Sequence, residues 1–218
     1  MITRAELKDK ALGDLRGNWK GPVLATFILF LITLIFSGST SVDYTNGKLY
    51  THNFSIWDGI CCLITLTFIM PMAYSYTLLF LDFIRGEKEK VHEKIFDCFK
   101  NYGKSFGTAF MVGLYTLLWS LLLIIPGIIK SLAYSMTYFI SKDHPEYSIN
   151  ECIEASKKMM YGHKWELFVL QLSFIGWFLL CILTLGIGLL WALSYYQTTF
   201  AHYYEELKAE TEAEPLQA

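Results

Sequence analysis

Four long stretches of this 218-residue sequence hold no aspartate, glutamate, lysine or arginine. They run from Gly21 to Val42, Gly59 to Leu81, Ser105 to Ile129 and Leu167 to Ala201. About 20 apolar residues of helix are enough to cross a hydrocarbon core of roughly 30 Å. A soluble domain has nowhere to bury four such runs, so that class is excluded. The five cysteines, Cys61, Cys62, Cys98, Cys152 and Cys181, lack C-x-x-C or Cys/His ligand spacing and read as small apolar fillers. Basic charge is not in excess, the formal net charge being -2, and no basic cluster interleaves with aromatics outside the runs. A nucleic-acid partner is therefore not expected. Paired intramembrane carboxylates, an H-E-x-x-H motif and a nucleophile beside a base are all missing, so no enzyme, cofactor or metal is expected. Asp143 and His144 precede Pro145 and read as a turn rather than a metal site.

What is present is apolar: 54% of the chain is hydrophobic, against about 45–50% for an ordinary soluble domain. Two of the uncharged runs are too long to cross once. Leu167–Ala201, 35 residues, contains Thr184-Leu185-Gly186-Ile187-Gly188, a turn signal. The third run continues past its end to Ser141, broken only by Lys130, and contains Pro126-Gly127, where proline removes a donor and glycine frees the backbone. A hairpin at Pro126 competes there with one kinked helix. Charge bias favours the hairpin. With six spans, all but Lys48 and Lys130 of the eighteen basic residues fall on one side, as the lysine- and arginine-rich cytoplasmic face requires. The expected fold is all-α: a polytopic transmembrane bundle with spans near 21–38, 59–81, 106–125, 127–141, 165–183 and 188–204. Lys130 is expected to snorkel to the outer interface. Both termini are expected in the cytoplasm.

An amphipathic segment precedes each pair of spans. Thr3 and Glu6 form a capping-box pattern before Leu7, Ala11, Leu15 and Trp19; Ser148 and Glu151 form another before Cys152, Ile153, Ser156 and Met160. Val91, Ile95, Phe99, Tyr102 and Phe106 line the middle one. Such segments lie in the membrane interface with their apolar face to lipid, or cap the bundle from the cytoplasm. Each ends on a glycine, a lysine and an aromatic. The returning spans share Ala73-Tyr74-Ser75-Tyr76-Thr77, Ala133-Tyr134-Ser135-Met136-Thr137 and Ser194-Tyr195-Tyr196-Gln197-Thr198, with Tyr74 to Tyr134 spaced by 60 residues and Tyr134 to Tyr195 by 61. The expectation is one membrane domain, 1–204, of three similar units (1–86, 87–147 and 148–204), followed by an acidic, frayed tail over 205–218.

Tyr74, Tyr134, Tyr195, Thr198 and His202 all fall near the cytoplasmic ends of returning spans. One reading is a polar vestibule open to the cytoplasm, which makes them the candidate binding residues. The other is an interfacial aromatic belt with hydroxyls bonding helix to helix. Charged residues at membrane depth (Asp58, Asp82, Lys130 and Glu166) sit near span ends, with none central to couple ion movement.

Residues 115–206 resemble a bacterial family of integral membrane proteins known as domain of unknown function 975. The resemblance lies in Leu118-Trp119-Ser120-Leu121-Leu122-Leu123-Ile124-Ile125-Pro126-Gly127-Ile128, Met160-Tyr161-Gly162-His163-Lys164 and Leu172-Ser173-Phe174-Ile175-Gly176-Trp177. It implies the bacterial cytoplasmic membrane and several spans, and it implies no activity. The expected role is non-enzymatic binding of membrane lipid or a membrane protein partner; a passive transporter or channel subunit comes second, and a membrane-embedded enzyme third.

Overall fold

The computed structural model describes residues 3–36, 42–45, 48–51, 56, 59, 60, 63, 65–184 and 186–213, and the described chain is helical almost throughout. Asp58, Cys61, Cys62 and residues 214–218 lie outside the described residues. Helix α1 (Arg4–Leu15) starts on the expected capping box: Glu6 N–H donates to Thr3 Oγ1 at 3.3 Å, and Thr3 N–H donates to Glu6 Oε2 at 2.7 Å. Gly17, at φ +81°, lets the chain swing through 95° into α2 (Lys20–Phe36). The long loop that follows carries an antiparallel ribbon of β1 (Val42–Thr45) and β2 (Lys48–Thr51). A π-turn, Thr65–Ile69, leads into α3 (Met70–Ile84), whose Pro71 sits in the first turn, where its missing N–H is harmless.

A 3₁₀ segment, Val91–Phe99, precedes α4 (Tyr102–Leu122). Leu123 then breaks the chain with an extended backbone (φ -159°, ψ 139°), and α5 (Ile124–Tyr134) returns antiparallel. The turn thus falls three residues before Pro126. Pro126 lies in the first turn of α5, and Gly127 lets the two helices touch: a Cβ there would stand 2.7 Å from Ser120 Cα. A single kinked helix is excluded. The chain continues through α6 (Thr137–Asp143), α7 (Ile149–Met159), α8 (Lys164–Leu172), α9 (Ile175–Leu183) and α10 (Leu189–Ala213).

Among the described residues, three stretches are long and apolar enough to cross a membrane: Leu66–Ile84, Tyr102–Leu122 and Lys164–Cys181. The bent pair Arg4–Leu15 and Lys20–Ile35 makes a fourth if it counts as one span. Two of the expected spans are broken helices. The fourth splits at Ser135–Met136 into α5 and α6, and the fifth at Ser173–Phe174 into α8 and α9. Both breaks are filled by another element. Ser156 of α7 donates to Ala133 C=O at 2.8 Å and accepts from Met136 N–H at 3.2 Å, and Lys8 of α1 donates to Ser173 C=O at 3.2 Å. These bonds satisfy backbone groups that the interrupted ladders release.

Of the two readings of the amphipathic segments, the one in which they pack on the bundle describes them: Leu7, Ala11 and Leu15 of α1, and Cys152, Ile153 and Met160 of α7, are buried in the protein. In the middle segment Val91, Ile95 and Cys98 are buried, whereas Phe99 turns outward into a stacked ladder with Tyr102, Phe106 and Phe110. Lys130 rests its ammonium 4.6 Å from the centre of the Trp119 ring and lines a cavity with Glu154 and Lys157 of α7. Residues 205–213 are not frayed. They extend α10, held by Arg85–Glu205 at 2.7 Å and Lys10–Glu206 at 2.5 Å.

The packing follows a pattern. The 3₁₀ segment lies on α2 and α3, and α7 lies on α4, α5 and α6. Helix α1 lies on α10. Phe80 and Phe83 of α3, Phe139 of α6, Phe174, and Tyr203 and Tyr204 of α10 fill the shared core.

Candidate functional site

The structure does not gather the five candidate residues around one vestibule. Tyr74 is buried and donates to Ser141 Oγ at 3.2 Å, its ring edge-on to Tyr138. Tyr134 packs separately, with Ala133 and Ile153. Tyr195 sits against Phe174 and Trp177 and donates to Lys8 C=O at 3.4 Å. Thr198 is fully buried and donates to Ser194 C=O at 2.8 Å, one turn back. His202 meets Asp14 of α1 at 2.9 Å. Four of the five are thus spent on bonds between helices or along one. The hydroxyl-bonding reading describes them better than a vestibule does.

A clearer example is a buried knot of hydroxyls. Thr26 of α2 meets Tyr76 of α3 at 3.0 Å and Ser194 of α10 at 2.9 Å. Thr26 and Ser194 also donate to carbonyls four residues back, at Pro22 and Leu190. The knot ties the three helices to one another through buried hydroxyls.

The other polar centre lies where α3 and α6 end against the side of α10. Arg85 grips Asp143 with two hydrogen bonds of 2.7 Å and reaches Glu205 with a third. Lys208 and Tyr204 also donate to Asp143, at 2.7 and 3.0 Å. Next to it Asp82 pairs with Lys142 and with Lys94, the latter at 3.0 Å. Burial works to raise the Asp143 pKa, but the hydrogen bonds from Arg85, Lys208 and Tyr204 prevail and hold it well below the usual carboxylate range. Sequence reading missed this network. Its one legible signal was spacing, since Asp82 and Asp143 stand 61 residues apart, one more than the 60 that separate Tyr74 from Tyr134. No described group of three His, Cys, Asp or Glu side chains could hold a metal ion.

Cavities lined by described residues include four. One of about 560 Å³ lies between α2 and α10, walled by Phe27, Phe30, Leu190 and Leu193 with Thr26 and Tyr76. One of about 360 Å³ lies on the other side of α10, among Trp19, Trp177, Leu180, Trp191 and Tyr195. Both are lined almost wholly by apolar groups. A polar cavity of about 220 Å³ contains Asp82, Lys94, Lys104 and Lys142. A fourth, of about 350 Å³, contains Trp119, Lys130, Tyr134, Glu154 and Lys157.

Helices long and apolar enough to span a membrane, tied by hydroxyl knots and closed at one end by ion pairs, define an all-α protein of the kind that membranes accept. More particularly, the chain belongs to the family described as protein of unknown function DUF975, whose model matches residues 1–130 and 121–211. No curated protein and no solved structure matches it.

Proposed function

We propose that this is a non-enzymatic integral membrane protein that holds lipid acyl chains in the two apolar grooves flanking α10. In this reading six spans form three hairpins (α2 with α3, α4 with α5 and α6, α8 and α9 with α10), and the lysine-rich connectors and both termini lie in the cytoplasm of a bacterial cell. The observation that carries it is the position of the grooves. Their walls continue into side chains exposed on the same helices, such as Phe30 and Leu34 on α2 and Trp177 and Leu180 on α9. Water would fill an apolar groove at a cost, whereas an acyl chain matches it.

The test is native mass spectrometry of the detergent-purified protein, together with a variant carrying Leu190→Trp and Leu193→Trp to plug the larger groove. Wild type should retain phospholipid and the plugged variant should lose most of it, while Phe96→Trp, exposed on the 3₁₀ segment and outside both grooves, leaves it unchanged. Purification of wild type free of lipid, or equal retention by the plugged variant, would overturn the reading.

A further inference from the structure

We propose that the cavity between α4, α5 and α7 seats the phosphoryl headgroup of an anionic glycerophospholipid. Two lysines face one carboxylate there. Lys157 pairs with Glu154 at 2.5 Å, while Lys130 has no carboxylate within ion-pair distance among the described residues. Both ammonium groups rest on aromatic rings: Lys130 Nζ stands 4.6 Å from the centre of Trp119, and Lys157 Nζ 5.8 Å from that of Tyr134. Such a ring holds a cation in place without neutralising it. One positive charge is therefore left for an incoming anion. Lysine meets phosphate as a compact point charge, and basic pockets beside membrane helices take anionic headgroups.

The surroundings choose a lipid over a free anion. Immediately beyond the cavity the α4–α5 hairpin exposes Leu117, Leu118, Leu121, Ile124, Ile125 and Ile128, with Leu121 85% exposed. On the other side α7 exposes Glu151, Glu154 and Lys158. The cavity thus lies on a boundary between an apolar and a charged surface, where a phospholipid presents its phosphate. With about 350 Å³ it has room for the headgroup while the acyl chains lie along the hairpin. The proposal rests on the membrane reading above and adds a charge preference that the apolar grooves do not have.

The test compares retention of phosphatidylglycerol and phosphatidylcholine by the full chain, using native mass spectrometry of protein from mixed vesicles. The variants are Lys130→Gln, Lys130→Arg and Lys157→Gln, with Lys100→Gln as a control. Wild type, Lys130→Arg and Lys100→Gln should prefer phosphatidylglycerol. Lys130→Gln and Lys157→Gln should each lose about fivefold of that preference, the contribution of one lysine near a membrane surface. Unchanged preference in Lys130→Gln overturns the site, and so does full displacement of the lipid by inorganic phosphate alone. If every variant still retains phosphatidylcholine, the groove reading survives that failure; if wild type retains no lipid at all, it is the groove reading that has failed.

Discussion

Asp143 accepts hydrogen bonds from Arg85, Lys208 and Tyr204 while only 7% of its side chain is exposed. Its folded pKa is depressed, so its charge contributes stability that is fully present above the unfolded value of about 4 and is lost as pH falls through the folded value. Asp143→Asn should lower stability at pH 7 by roughly 2–4 kcal/mol, below the full cost of breaking a buried pair because Arg85 keeps Glu205. A thiol-reactive dye can follow the melt, since Cys98, Cys152 and Cys181 are buried until the fold opens. The gap between wild type and variant should narrow as pH drops below about 4. A constant gap would mean that the carboxylate's charge is not the source. Sequence alone could not find this residue, because its partners lie 58 and 65 positions away and a neighbouring proline made it look like a turn.

At the scale of single elements, what was legible followed from local chemistry. The capping boxes at Thr3 and Ser148 form as their spacing requires, and the apolar positions of α1 and α7 are the buried ones. Proline and glycine marked the α4–α5 turn to within three residues. The breaks at Ser135–Met136 and Ser173–Phe174 were not legible. Neither contains a proline or glycine, and each is held open by a side chain from a distant helix. The same fact explains a serine on the apolar face of α7. Ser156 is fully buried, and its hydroxyl serves one donor and one acceptor that the interrupted helix frees. Ser156→Ala slightly raises the helix propensity but removes both bonds, so it should still cost roughly 1–3 kcal/mol. Ser131→Ala, on the exposed face of α5, should cost far less in the same melt. Equal effects would show that the break is held by packing instead of by this hydroxyl.

At the scale of the whole molecule, the amphipathic elements dock in a cyclic order. The segment before the second hairpin lies on the first, α7 before the third lies on the second, and α1 at the beginning lies on α10 at the end. Repeated intervals of 60 and 61 residues suggested copies, yet the sequence held no sign of which copy each segment would cover. That depends on contacts across the full chain, such as Lys10–Glu206 and Asp14–His202. If three similar units close a ring, the connection between any two is dispensable once the ends are joined. A permuted chain with residues 213 and 3 linked by flexible glycine and serine, opened between Lys88 and Glu89 in an exposed turn, should therefore fold. It keeps α1 on α10 and the 3₁₀ segment on α2 and α3, so its buried thiols should stay protected and its melting point should fall only slightly. Removing residues 3–16 is the opposite case. It uncovers Phe174, Tyr195 and Leu207 and takes away the lysine that fills the Ser173 break, so the thiols should react well below the native melting temperature. Collapse of the permuted chain to the level of the truncated one would show that chain order, and not the cyclic docking of the segments, holds the bundle together.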